Sequence, residues 1–399
     1  MQEFNYKLLN FEKPNNYKST GSAIELNEKT PKLFTPIQIK EMVLRNRVII
    51  SPMCQYSSSG NSGLANEWHY VHYGGFAKGG ASMIIMESTA VLPEGRITYL
   101  DLGIWSDNHI APLKKIIDFA HLFDTKVCVQ LAHAGRKSSS SIPFSKEGGH
   151  SSISPNDQYG RGWQQLSSSP IAWSDQMTQP VEMSIDDIKE VIDAFKHGAI
   201  RANKAGFDAC ELHFSHGYLA MQFLSPTSNT RTDQYGGSFE NRTRILFEII
   251  DAVKKVWPSN KPILVRISAE EWVGSQGWTI EDSIQLAKKL EEVGIDWLDV
   301  SSGGNNQHQK IKGGAMYQVP FAKSIKESPG ISKMLISTVG SITTGNQAES
   351  ILLDNSADFI LFGRPFLRNP NFTYELAYQL NTKIDYALQY NQGKYHIVS

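Results

Sequence analysis

His213 and His216 stand three residues apart, with a phenol two residues further on at Tyr218, so several proton donors share one short stretch of the chain. An amide at Gln130 and a permanent cation at Arg266 suit the hydrogen-bonding edge of a planar heterocycle and any negative charge on it. Gly340 and the Gly363-Arg364 pair are residues of the kind that lets backbone N–H groups approach a phosphate closely. A phosphate-bearing ring beside a proton donor points to redox chemistry at a bound flavin mononucleotide, FMN. His-x-x-His by itself fits a structural pair, a metal pair or a substrate-binding pair equally well.

The elements that must position these residues follow from hydrophobic pattern. Short, almost continuous apolar runs cover 48–53, 82–88, 126–132, 208–214, 262–268, 297–303, 334–340 and 358–364. Apolar throughout rather than alternating, they predict strands buried on both faces of a parallel sheet. Helical spacing fills the gaps: 184–205 opens on a Ser cap signal, and 242–256 and 279–293 read the same way. Eight strand-then-helix units predict a (β/α)8 TIM barrel, whose chemistry sits at the C-terminal ends of the strands. A doubly wound sheet would require a Gly-rich turn after its first strand, where this chain has Ser-Pro-Met-Cys.

The expected organisation is an N-terminal arm over 1–32, a barrel over 33–370, and a closing helix with an extended tail over 371–399. The connection 133–183, about fifty residues rich in Ser, Gly, Pro and Trp, is far longer than an ordinary loop and is expected to cap the site. With 399 residues, 40% hydrophobic and 20% charged, the composition is that of a globular protein, not a disordered or fibrous one. A formal net charge of −1 leaves no electrostatic footprint for nucleic acid or an anionic membrane. Three cysteines without metal-ligand spacing, no membrane-length apolar stretch and no apolar leader predict a cytoplasmic protein.

Four motifs carry a family resemblance. S-P-M-C-Q-Y (Ser51 to Tyr56), Q-L-A-H-A-G-R-K (Gln130 to Lys137), E-L-H-F-S-H-G-Y-L (Glu211 to Leu219) and the run from Phe223 to Arg242 resemble the Old Yellow Enzyme family of flavin oxidoreductases. Cys54 after S-P-M is similar to the bacterial thermophilic-like branch. The resemblance spans about Leu33 to Leu380 and implies an FMN-dependent ene-reductase. NADPH or NADH would be the reductant, and the substrates small α,β-unsaturated carbonyl or nitro compounds. It implies that Ser51, Pro52, Met53, Cys54, Ser88, Gln130, Arg266, Gly340, Gly363 and Arg364 hold FMN. His213 and His216 would bind the substrate oxygen, Tyr218 would donate the proton with an unperturbed pKa of about 10, and Tyr56 would be a second phenol at the substrate. Cys54 would adjust the flavin rather than attack anything.

Other residues are expected in bland roles. Cys128 and Cys210 read as inert packing, His69 and His72 as structural or surface residues, and Trp105 as packing. Arg231, Asp233, Arg242 and Arg244 are expected to form ion pairs fixing the loop after strand 4. His133 reads as a substrate contact or as support for one, and Trp163 and Trp173 are candidates to roof the site. The branch's C-terminal Arg, which reaches into a neighbouring subunit, is replaced here by Gln392, with Lys394 a partial substitute, so a homodimer is an open expectation. The rival reading from another class is a metal-dependent hydrolase or lyase using His213, His216 and a carboxylate such as Glu211. A dienoyl-CoA-reductase-like enzyme would need cysteines for an iron–sulfur cluster, and a non-catalytic flavin sensor would need no Tyr218.

Overall fold

The computed structural model describes residues 17–146, 148–149 and 151–397; residues 1–16 of the expected arm lie outside these. Eight parallel strands form the barrel: β1 (Val48–Ile50), β2 (Met83–Ala90), β3 (Lys126–Ala132), β4 (Ala209–Phe214), β5 (Ile263–Ser268), β6 (Trp297–Ser301), β7 (Leu335–Thr338) and β8 (Phe359–Phe362). Each pairs with its neighbours in sequence order, and β1 closes the ring by pairing with both β8 and β2. Every expected apolar run coincides with one of these strands, β2 running two residues past the end of its run.

The helices α1 (Glu67–Ala77), α2 (Ile110–His121), α3 (Ile185–Ala205), α4 (Leu219–Leu224), α5 (Phe239–Lys254), α6 (Ile280–Glu292), α7 (Val319–Lys326), α8 (Gly345–Leu353), α9 (Arg364–Arg368) and α10 (Phe372–Gln379) follow the strands in turn. Their ends obey local chemistry. Ser184 and Thr279 cap α3 and α6 in reciprocal capping boxes, each satisfying a backbone donor left free by the first turn. Gly206, at φ 98°, ends α3 in the left-handed conformation that favours glycine.

Two cores result. The larger one lies between strands and helices. The smaller fills the lower barrel with Ile49, Met83, Ile85, Cys128, Ala209, Leu264, Trp297, Phe359 and Leu361. Trp297 stacks on Phe359 with ring centroids 4.2 Å apart. An antiparallel hairpin, Ile37–Ile39 with Met42–Leu44, plugs this end by adding Ile39, Met42 and Leu44. Apolar pattern alone did not predict that plug. Cys128 packs in the inner core and Cys210 in the outer one.

The stretch 133–183 is tied down mostly by hydrogen bonds. Two-residue strands at Leu166–Ser167 and Val181–Glu182 pair, and Ser140 bridges Ser152. The buried Gln222 of α4 anchors it, donating to Ala134 O and Gly217 O and accepting from Arg136 N and Ser167 Oγ. The ion pairs expected of the following loop reduce to one arginine. Arg231 pairs with Asp233 at 2.6 Å and donates to Ser168 O and Met183 O. Arg242 and Arg244 instead cap backbone carbonyls, of Leu224 and Gly237 and of Gln234 respectively, because those carbonyls end or turn the chain within reach.

Candidate active site

The C-terminal ends of the strands bring the expected residues to one mouth. After β1, Ser51 N–H donates to Phe362 O, and Ser51 Oγ lies 3.4 Å from Arg266 on β5. The missing side chain of Gly363 leaves a cradle there: a Cβ would stand 3.5 Å from Met53 Sδ and 3.9 Å from Ser51 Cβ. Gly340, at φ 115°, follows β7, and the exposed Arg364 opens α9 beside it, with its charge felt at Tyr317. Gln130 on β3 pairs in register with Glu211 on β4, and Arg266 with both His213 and Asp299.

His213 and His216 come together at the end of β4, ring centroids 5.2 Å apart, and His213 lies 5.1 Å from the Tyr218 ring. Consecutive left-handed residues, His216 at φ 59° and Gly217 at φ 70°, make this possible. A Cβ on Gly217 would meet Gly304 O at 2.4 Å, so the loop after β6 leaves no room for any other residue. Ser215 Oγ lies 3.0 Å from His213 Nδ1, and Ser301 Oγ 2.8 Å from His216 Nε2. Each ring therefore keeps one nitrogen, Nε2 and Nδ1 respectively, for a ligand. Burial first, and Arg266 second, hold both imidazoles well below their ordinary pKa, so they are neutral at physiological pH.

The phenols differ from expectation. Burial raises Tyr218 well above 10, with further contributions from Cys54 and Asp101, so it is not an unperturbed tyrosine. Tyr56, at φ 50°, is hydrogen-bonded to the Cys54 thiol, and burial pushes both groups up. Cys54 is thus a neutral thiol, short of the thiolate a nucleophile requires. Ser88 accompanies it from the end of β2 with a backbone hydrogen bond.

Several neighbours of these residues escaped sequence reasoning. Lys137 donates to His216 O at 2.9 Å and Gly304 O at 3.0 Å, and its ammonium lies over the Tyr218 and Trp173 rings at 5.2 and 4.9 Å. Burial, then Arg136, lowers its pKa to about 7. Its place at the end of Q-L-A-H-A-G-R-K was the only available signal. Asp299 occupies one lobe of Arg266, at 3.1 Å from Nε. Trp173 borders the site and donates to Gly304 O, whereas Trp163 stands away from it, donating to Glu94 O beneath the Arg96 guanidinium. His133 is buried and accepts from Gly135 N–H, so it supports the turn after β3. Lys394 leans on Tyr386 of its own chain at 5.9 Å. Among the described residues, no three His, Cys, Asp or Glu side chains are grouped to hold a metal ion, although the rival reading needed His213, His216 and a carboxylate such as Glu211 to do so. No helix among them is long and apolar enough to cross a membrane.

A closed parallel barrel with glycines after strands 7 and 8, a buried amide and guanidinium near the strand ends, and a cluster of proton donors suits a barrel oxidoreductase of the flavin-dependent class. The profile of the NADH:flavin oxidoreductase / NADH oxidase family matches residues 32–383, and the chain belongs to that family. It is 45% identical over 362 residues to the NADPH dehydrogenase of Bacillus subtilis (strain 168), covering 91% of this chain and 99% of that one. The structure of morphinone reductase in complex with tetrahydroNAD superposes with a TM-score of 0.70 at 26% identity, over 87% of this chain and 90% of that one. The old yellow enzyme homologue from Zymomonas mobilis gives 0.70 at 25% identity, over 86% and 91%. The chain is accordingly an oxidoreductase that uses FMN and a nicotinamide reductant.

Proposed function

We propose that this protein is an ene-reductase, reducing the activated C=C bond of small α,β-unsaturated carbonyl or nitro compounds. The observation that carries the reading is the convergence of His213, His216 and Tyr218 at the mouth, with Arg266 level with His213 and Gln130 one inward position lower. Ser51 to Cys54, with Ser88, would hold one side of the FMN ring, and Gln130 and Arg266 its polar edge. Gly340, Gly363 and Arg364 would hold the phosphate. Bound FMN, reduced by NADPH or NADH, supplies the hydride for the β-carbon of the substrate.

The chain's own residues then manage charge and proton. Ser215 and Ser301, acting as donors to Nδ1 of His213 and Nε2 of His216, leave His213 Nε2–H and His216 Nδ1–H to donate. Aimed at the substrate's carbonyl or nitro oxygen, these two donors stabilise the negative charge that builds there. Tyr218, kept protonated by its burial, gives its phenolic proton to the α-carbon. Lys137 orients this donor by holding the carbonyl of His216 while facing the Tyr218 ring. Tyr56 lines the opposite side. The 133–183 segment caps the mouth through Trp173, and three free cysteines suit a cytoplasmic setting.

The test is an anaerobic visible spectrum of the purified protein, before and after NADPH and then with 2-cyclohexenone. A flavin band that bleaches with NADPH and returns with the enone is expected. A protein that bleaches but is not reoxidised by any enone or nitroalkene would overturn the substrate class.

A further inference from the structure

Just below the mouth, the barrel holds a buried acid–base cluster that the steps above do not use. Glu211 on β4 is fully buried. Its Oε1 accepts from Gln130 Nε2 at 2.7 Å, while Oε2 has no hydrogen-bond partner among the described residues. Asp299 on β6 is equally buried; it accepts from Ser337 Oγ at 2.8 Å and faces Arg266 Nε at 3.1 Å. Two carboxyls therefore share one guanidinium. The remaining titratable groups around Glu211 are the thiol of Cys128 on β3, the thiol of Cys210 next to it in sequence but turned to the outer core, and the neutral His213 one inward position above. None of them supplies a positive charge.

Two carboxylates against one cation would leave net negative charge in a water-excluded interior, which is costly. Asp299 already has its ion pair, so the proton belongs on Glu211, whose lone Oε2 is the atom to carry it. Burial first, and then Asp299, push Glu211 up to about 8, against the opposing pull of Arg266 and Gln130.

We propose that Glu211 is a positioning residue held as the neutral acid, which locks the Gln130 amide and leaves Arg266 without a second anion, so that its ionisation steepens the pH dependence of reduction of the bound flavin. This rests on the placement of Gln130 and Arg266 at the FMN ring. Hydride leaves the nicotinamide, which departs oxidised, and adds one negative charge beside Arg266. While Glu211 is protonated, no further charge is required. Once it is ionised, reduction draws one proton from water onto its carboxylate, and the midpoint potential then falls more steeply with pH.

The experiment is the midpoint potential of the FMN holoenzyme by spectroelectrochemistry from about pH 6 to about pH 10, for the native protein and Glu211→Gln. FMN stoichiometry and Tm are measured alongside. The variant should keep FMN, match the native potential at the acid end, and lack the steepening that the native protein shows around pH 8. Identical pH courses for the two proteins would overturn the proposal. Should the variant not fold, infrared spectra of the holoenzyme carrying Glu87→Gln, which removes the other carboxyl pushed up to about 8, decide: a carboxylic-acid carbonyl band lost around pH 8 supports the proposal, and its absence refutes it. A chain that takes up no FMN would sink the placement at the ring as well; FMN bound with indifference to Glu211 sinks this inference alone.

Discussion

Two His-x-x-His pairs with the same spacing occur in this chain, and they do opposite things. On α1, His69 is wholly buried. Its Nδ1 completes the helix's capping box with Asn66, and its Nε2 lies 3.5 Å from Glu87 Oε1. His72 packs edge-on against Phe76 at 4.4 Å and lines an apolar groove of about 620 Å³ with Trp68, Val71 and Leu367. At the end of β4, His213 and His216 are neutral as well, but each gives only one nitrogen to a serine and keeps the other for a ligand. Burial depresses all four pKa values, so depression by itself distinguishes nothing. What separates the pairs is where the spare nitrogen lies: His69 Nε2, also without a hydrogen bond among the described residues, is sealed inside against Glu87, whereas the second pair stands at a strand end beside the Tyr218 ring.

The sharpest way to break the comparison is at Tyr218, the proposed proton donor beside the second pair. Tyr218→Phe should retain reduction of FMN by NADPH while slowing alkene reduction roughly 10²- to 10⁴-fold, the usual weight of general acid catalysis. Stopped-flow measurement of the two half-reactions separates them, and equal loss in both would remove Tyr218 from its role. Next in size, His213→Ala should weaken phenolic ligands and enones about 10- to 100-fold, the worth of one strong hydrogen bond, with FMN still bound. Spectral titration checks this; loss of FMN would show that the ring holds the cofactor instead.

The first pair should answer in stability. His69→Ala removes a cap and leaves Glu87 without its neighbour, which should cost about 1–3 kcal/mol in denaturant unfolding. Turnover per folded molecule should be unchanged, and a selective loss of turnover would put His69 in the chemistry. The last effect, confined to acid pH, is the pH dependence at His72. Its folded pKa of about 4 lies below the ordinary 6.5, so the unfolded chain binds more protons between those values. Stability then falls as pH drops from 6.5 towards 4. His72→Phe should flatten that part of the acid-unfolding curve, and an unaltered slope would show that the ring is solvated.

Glu87 marks a limit of reading strands from pattern. Strict alternation would place it inside the barrel with Met83 and Ile85. A register shift between Ile85 and Ser88, where β2 pairs with β3, instead brings its carboxyl to Tyr73 of α1 at 3.0 Å and to Gln55 N–H at 2.8 Å. Buried there, it is pushed up to about 8 and anchors the loop that carries Cys54 and Tyr56. A bulge depends on how two strands meet, which no single strand's composition reveals. The same reasoning applies to Asp299 and Lys137, whose significance lies in Arg266 and Tyr218, residues far away in the chain.

By itself, the sequence determined the eight strands, the barrel they form and the end of it where chemistry occurs. Continuous apolar runs separated by amphipathic helices have few other ways to bury their surface. It also determined which side chains arrive at that end, because a strand's last residues go wherever the strand goes. Tertiary structure alone decided their state. Neutral histidines, a tyrosine raised above its ordinary pKa, a half-neutralised Arg266 and an orphaned Glu211 oxygen all follow from desolvation and from partners contributed by other strands. Those are properties of the space between elements, and the chain creates that space only by closing the ring.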